Sequence, residues 1–177
     1  MAGHSHWKQI KTKKATSDQK KGALFSKLLN AIAIAARSEP NPQFNPRLRT
    51  TIEKAKEHGV PQENIERAVK RAQAVSEELQ ELILEVYGPG GAALIIQAIT
   101  NNKNRTVQEI KTILKEWQGR LAEPGGAAWA FEKQIDSSEW KAKFYHDLSP
   151  AEKERLQNLA KALEEHDDVQ SVFKNIK

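Results

Sequence analysis

The chain has 177 residues, of which 38% are hydrophobic and 29% charged, with a formal charge of +5, a sequence pI of about 9.3 and a mean hydropathy of −0.68. That length suits one large domain or two small ones, and the absence of cysteine excludes disulfides, thiolate zinc sites and a cysteine nucleophile. No apolar run approaches the ~18 residues of a membrane span, and the N-terminus lacks the apolar core of a secretory signal, so a cytoplasmic location is expected.

Charge is unevenly placed. Residues 1–75 hold 15 Lys+Arg against 6 Asp+Glu, whereas residues 76–177 hold 13 against 17. The opening stretch, 1–27, carries seven lysines and a single acid, Asp18. A basic half followed by an acidic half points to nucleic acid as the partner of the first and to something else, such as a protein, for the second. The expected division is residues 1–75, a basic arm and helical bundle, and residues 76–177, an α+β domain.

In chain order, the arm reads as a cationic tail up to a cap at Thr16 or Ser17, with Asp18 in the first turn of a helix. From Leu24 the residues Leu24, Phe25, Leu28, Leu29, Ile32, Ala35 and Ala36 recur at helical spacing and form one apolar face. Pro40, Pro42 and Pro46 break that helix near Arg37. Asn45–Pro46 starts a second helix with Leu48, Ile52 and Ala55 inward, Gly59 ends it, and Pro61 opens a third with Ile65, Ala68 and Val69 on one side. Short links between three helices imply a small bundle.

Residues 74–81 are polar and acidic and read as a linker. The β-rich runs 82–87 and 92–100, joined by Gly88-Pro-Gly-Gly91, predict a hairpin. Asn104 is the expected cap of a helix over 106–118, Gly125-Gly126 leads into a strand over 127–133, Ser149–Pro150 starts a last helix, and 169–176 closes as a strand. The expected fold class is α+β: a three-helix bundle followed by a mainly antiparallel sheet with helices on one face.

Catalytic and metal signals are weak. The Gly88–Gly91 loop lacks the Lys-Ser/Thr ending of a phosphate-binding loop and joins two strands. His4 and His6, or His146, Asp147, His166, Asp167 and Asp168, lack the spacing of a recognised metal site. Glu77–Glu78 and Glu164–Glu165 read as surface charges, and no nucleophile stands beside a base. No enzyme activity, cofactor, metal or small-molecule substrate is expected. The positive signal is the cation set: Lys8, Lys11, Lys13, Lys14, Lys20 and Lys21 in the arm, with Arg47, Arg49, Lys54, Lys56, Arg67, Lys70 and Arg71 in the bundle, and Trp7 placed to stack on a base or ribose.

Several stretches coincide with one family. Ala2-Gly-His-Ser-His-Trp-Lys8, Asn45-Pro-Arg-Leu-Arg49, Ile52-Glu-Lys-Ala-Lys56 and Pro61-Gln-Glu-Asn-Ile-Glu-Arg-Ala68 closely resemble the YebC/PmpR family. So do Tyr87-Gly-Pro-Gly-Gly91, Thr100-Asn-Asn-Lys-Asn-Arg-Thr106, Phe131-Glu-Lys133 and Asp167-Asp-Val-Gln170. The resemblance implies a helical N-terminal domain followed by two α+β domains, the third inserted within the second. It also implies a regulator of gene expression: bacterial members are mostly labelled DNA-binding transcriptional regulators, while a mitochondrial relative activates translation and some bacterial members resemble ribosome-associated factors that help translate proline-rich stretches. Residues 134–148 stand where the family's third domain is inserted, so a short form is expected. Three readings stay open: a DNA-binding transcriptional regulator, a translation factor bound to ribosomal RNA, and a protein-interaction module with incidental charge.

Overall fold

A computed structural model describes residues 3–73, 79–134 and 139–177, with side chains from Ser17 onward. Three helices come first: α1 (Gly3–Ala35), α2 (Pro46–Glu57) and α3 (Gln62–Arg71). One buried side chain sets the first corner. Asn45 Nδ2 donates to the carbonyls of Ala35 (2.8 Å) and Glu39 (2.7 Å), while its Oδ1 accepts from the Leu48 amide at 2.9 Å. It thus satisfies a carbonyl at the end of α1 and an amide at the start of α2, where Pro46 needs no N–H partner. Gly59, at φ +77°, turns the chain out of α2. Leu28, Ile32, Leu48, Ala55, Ile65 and Ala68 form the core these helices share.

The remaining elements are β1 (Gln80–Tyr87), β2 (Ala93–Thr100), α4 (Lys103–Glu116), β3 (Arg120–Leu121), β4 (Phe131–Lys133), β5 (Trp140–Ala142), α5 (Pro150–Glu164) and β6 (Val169–Lys174). They build an antiparallel sheet of order β3-β1-β2-β6 and a separate β4-β5 pair. The hairpin at Gly88–Gly91 forms as expected, with Gly90 and Gly91 at positive φ. Strand β2 lies at the centre and is buried on both faces, which is why it reads as a nearly unbroken apolar run. Leu94 and Ile96 pack with Ile110, Leu114, Leu156, Leu159 and Leu163 of α4 and α5, whereas Ala93 and Ile95 pack with Ala127, Ala130 and Phe131. Ser149 caps α5 in a full capping box with Glu152.

Three local expectations are corrected. The basic arm is not a tail ahead of a cap: α1 is helical from Gly3, and Thr16 and Ser17 lie in its interior. Lysine, glutamine and alanine are good helix formers, and no proline interrupts them. The cap of α4 is Asn102, whose Oδ1 accepts from the Arg105 amide at 3.1 Å, and Asn104 sits within the first turn. Residues Ala128–Ala130 form a 3-10 turn, so only Phe131–Lys133 is a strand, and it pairs with β5 outside the main sheet, whose edges are β3 and β6. Helices α4 and α5 cover one face of the sheet as expected, and β4-β5 and α1 cover the other. The polar stretch expected as a linker falls largely at 74–78, outside the described residues.

Candidate nucleic-acid interface

Among the described side chains of α1, core packing starts at Leu24, whereas Ser17 to Gly22 are exposed. The positions of Lys8, Lys11, Lys13, Lys14, Lys20 and Lys21 therefore lie on the part of a continuous helix that precedes its packed half. From Gly3 to Ala23 that segment measures about 30 Å at ~1.5 Å per residue. By helical position, Lys8, Lys11 and Lys14 step along one side, and Lys13 and Lys20 repeat at two turns on another. Of these lysines, the described side chains are Lys20 and Lys21, both exposed, with Lys21 Nζ 5.5 Å from the centre of the Phe25 ring. The side chain of Trp7 lies outside the described residues, as do those of Lys8, Lys11, Lys13 and Lys14.

The bundle cations do not form one patch. Arg47 and Lys54, two turns apart on α2, line a cleft between the bundle and the sheet with Leu24, Lys27, Gln97 and Ser171. Arg47 is ion-paired there with Glu81, so this expected phosphate contact is already held by a carboxylate from β1. Arg49 and Lys56 share a different, exposed row of the same helix. Arg67 and Arg71 flank Leu29 and Ala68 in a shallow groove between α1 and α3. Arg67 donates to Asn64 Oδ1 at 2.8 Å and Arg71 to Asn30 Oδ1 at 2.9 Å. Lys70 is exposed beside them. Among the described residues, Arg49, Lys54, Lys56 and Lys70 enter no ion pair.

The bundle is tied to the α+β part at further points, on α5 and just ahead of β1. Lys27 Nζ donates to the Glu164 carbonyl at 2.6 Å, and Arg37 donates to the Leu79 carbonyl at 2.6 Å. Burial pulls the Lys27 ammonium below its ordinary value, with Asp167, Glu164 and Asp168 opposing that shift.

Two polar clusters were not foreseen as units. In the first, the Thr100–Thr106 and Asp167–Gln170 stretches meet. Asp168 Oδ2 accepts from Thr106 Oγ1 (2.6 Å) and Arg105 (2.7 Å), and Thr106 Oγ1 also lies 2.8 Å from Thr100 Oγ1. His166 Nδ1 accepts from the Asp168 amide, which leaves Nε2–H to donate to Glu109 Oε2 at 2.9 Å. Glu109, His166 and Asp168 approach one another closely enough to hold an ion, but the Arg105 guanidinium already stands among them. Burial would raise the Asp168 pKa. The hydrogen bonds from Thr106, Arg105 and Thr100, aided by the Arg105 charge, together hold it below the ordinary range. Thr100 and Thr106 are both buried polar residues, and this cluster satisfies their hydroxyls.

In the second cluster, Glu85 projects from β1 into the turn after Pro124. Its Oε1 accepts from the Gly125 amide (2.7 Å), and its Oε2 accepts from Ala127 (2.8 Å) and Ala128 (2.7 Å). These amides are thereby unavailable to a strand ladder, which accounts for the shortened β4. Burial again opposes ionisation, and the three amide hydrogen bonds together outweigh it and hold the Glu85 carboxyl below its ordinary value. Tyr87 Oη donates to the Gly126 carbonyl in the same turn. No described helix is long and apolar enough to cross a membrane.

Residues 5–75 match the family described as "TACO1/YebC protein N-terminal domain", and residues 79–136 match "TACO1/YebC second and third domain". Over 137 residues the chain is 50% identical to a "Probable transcriptional regulatory protein" of Pseudothermotoga lettingae, covering 76% of this chain and 54% of that one. It is 48% identical to a protein of the same description from Aquifex aeolicus, covering 76% and 55%. The chain thus spans about half the length of these curated relatives. The crystal structure of a conserved hypothetical protein from Aquifex aeolicus superposes with a TM-score of 0.81 at 30% identity, across 90% of this chain and 91% of that one.

Proposed function

The chain belongs to the TACO1/YebC family, and from that premise we propose that it is a regulator that binds nucleic acid, acting on duplex DNA through the cationic half of α1. The single observation that carries this reading is the unbroken helix from Gly3, which sets the arm lysines on one rod ahead of the packed bundle. A helix is about 10–12 Å across with its side chains, and the major groove is about 12 Å wide. Lysines on more than one side of such a rod suit phosphates on both walls of a groove. Residues 1–75 then engage the duplex, with Arg49, Lys56 and Lys70 as further phosphate contacts, and the acidic side chains of residues 76–177 face a protein partner. The relatives' description as probable transcriptional regulatory proteins favours DNA over RNA.

Capturing the chain from its own cells near physiological salt and sequencing what accompanies it tests the reading. Discrete genomic DNA sites, lost when the six arm lysines are replaced, are the expected result. Ribosomal RNA with no enrichment of DNA overturns the DNA reading and makes the chain a translation factor.

A further inference from the structure

Exposed aromatic side chains flank the β4-β5 pair, Trp129 just before it and Phe144 and Tyr145 just after it. Trp129, Phe144 and Tyr145 are 57%, 55% and 51% exposed. Trp129 Nε1 donates to the Gly126 carbonyl at 2.8 Å, which pins one edge of the indole and leaves its face to solvent. The Trp129 and Phe144 rings lie 5.7 Å apart, tilted by 37°. The segment after β5 is held against this turn because the Lys143 and Phe144 amides both donate to the Ala130 carbonyl. Its far end is held by the His146 amide on the Asn175 carbonyl at 2.7 Å. Ammonium groups sit beside the rings: Lys143 Nζ is 5.8 Å from the centre of Phe144, and Lys177 Nζ is 5.9 Å from that of Tyr145.

We propose that this surface binds single-stranded nucleic acid, stacking unpaired bases on Trp129, Phe144 and Tyr145 while Lys143 and Lys177 meet the phosphodiester backbone. Every base has a π face, so fixed rings flanked by cations take a single strand with little regard to sequence. The cores of protein–protein interfaces are depleted of lysine, and an apolar partner laid on these rings has to strip water from two ammonium groups. Lys143 and Lys177 lie beside these rings in a half of the chain that is acidic overall, a charge placement that a polyanion complements. Trp129 lies within the stretch matched to the family, and Phe144 and Tyr145 lie past residue 136, where that match ends. This surface is separate from the duplex reading of α1.

The test uses the whole chain, with oligothymidylate, oligouridylate and a duplex of equal length compared by fluorescence anisotropy at about 0.2 M salt, where purely phosphate-driven binding is weakened. Trp129→Ala with Phe144→Ala is expected to lower affinity for the single strands at least tenfold and to leave duplex affinity unchanged. The two single strands distinguish a DNA source from an RNA source. Lys143→Gln with Lys177→Gln, which touches no core residue, should cause a smaller loss in the same direction and keeps the test open if the Trp129 turn is disturbed. A chain lacking the six α1 lysines still binds oligothymidylate if the inference holds, so its failure and that of the duplex reading are told apart. Equal losses for single strand and duplex overturn it, as does unchanged single-strand affinity. A native self-association that the aromatic substitutions abolish, with no change in oligonucleotide affinity, assigns the patch to a second copy of the chain and also overturns it.

Discussion

Replacing Lys8, Lys11, Lys13, Lys14, Lys20 and Lys21 by glutamine is expected to abolish most of the salt-sensitive affinity for duplex DNA. Each phosphate contact contributes a slope of about −0.9 in log affinity against log salt, so removing six flattens the slope by about five. The native chain, making about six to ten such contacts, should lose roughly 10³–10⁵ in affinity between ~50 and ~200 mM salt. The substituted chain starts weak and changes little over the same range. Glutamine keeps good helix propensity, so α1 itself should persist. By contrast, Arg47→Gln should scarcely move the slope, because Glu81 already holds that guanidinium. Salt titration of anisotropy on the native chain and both variants measures this. A slope that falls as far for Arg47→Gln as for the lysine set sinks the assignment of the arm.

Glu85→Ala is expected to destabilise the fold by about 3 kcal/mol. Three amides lose a charged acceptor, hydrogen bonds to charged groups contribute about 1.5–3 kcal/mol each, and leaving a buried donor unpaired costs about 1–3 kcal/mol. Ala127 is fully buried, so its amide has no route to water without local opening. Exposure of Gly125 moderates the total, because water can replace that partner. A pH dependence accompanies the effect. Glu85 and Asp168 both have folded-state pKa values below their ordinary ones. Their contribution is therefore complete above the ordinary carboxylate range, about pH 4, and is lost as pH falls through the depressed folded values. Urea midpoints at pH 7 and near pH 3 should differ strongly for the native chain and less for Glu85→Ala. A variant as stable as the native chain at pH 7 contradicts the role given to this carboxylate.

Local chemistry made much of the fold legible. Asn45–Pro46 and Ser149–Pro150 announce helix starts by cap and ring geometry, and Gly88–Gly91 announces its turn by the φ values that glycine permits. The helical arm was hidden because a lysine-rich helix carries no apolar stripe, so periodicity begins only at Leu24, and Thr16–Ser17 then resembles a cap. The two polar clusters were hidden for a different reason. Glu85 meets amides 40 to 43 positions away and Asp168 meets Thr106 across 62, and no local pattern encodes such meetings. The motifs at 100–106 and 167–170 could be recognised separately, but their contact belongs to the tertiary structure. For the interface, the cation types and positions were readable, and seven-residue spacing separates the Arg47/Lys54 row from the Arg49/Lys56 row. The pairing of Arg47 with Glu81 was not, since the two sit on different sides of the interface between bundle and sheet.

Hydrogen exchange along the whole chain, with and without duplex DNA near physiological salt, tests the central claim most directly. A lysine-rich helix carrying like charges at three- and four-residue spacing is marginal in water. Phosphates that neutralise those charges should therefore slow exchange of the amides over residues 3–22, with smaller changes in α2 and α3. Protection that rises only in α4, α5 and the sheet, or nowhere, contradicts a nucleic-acid interface built on α1.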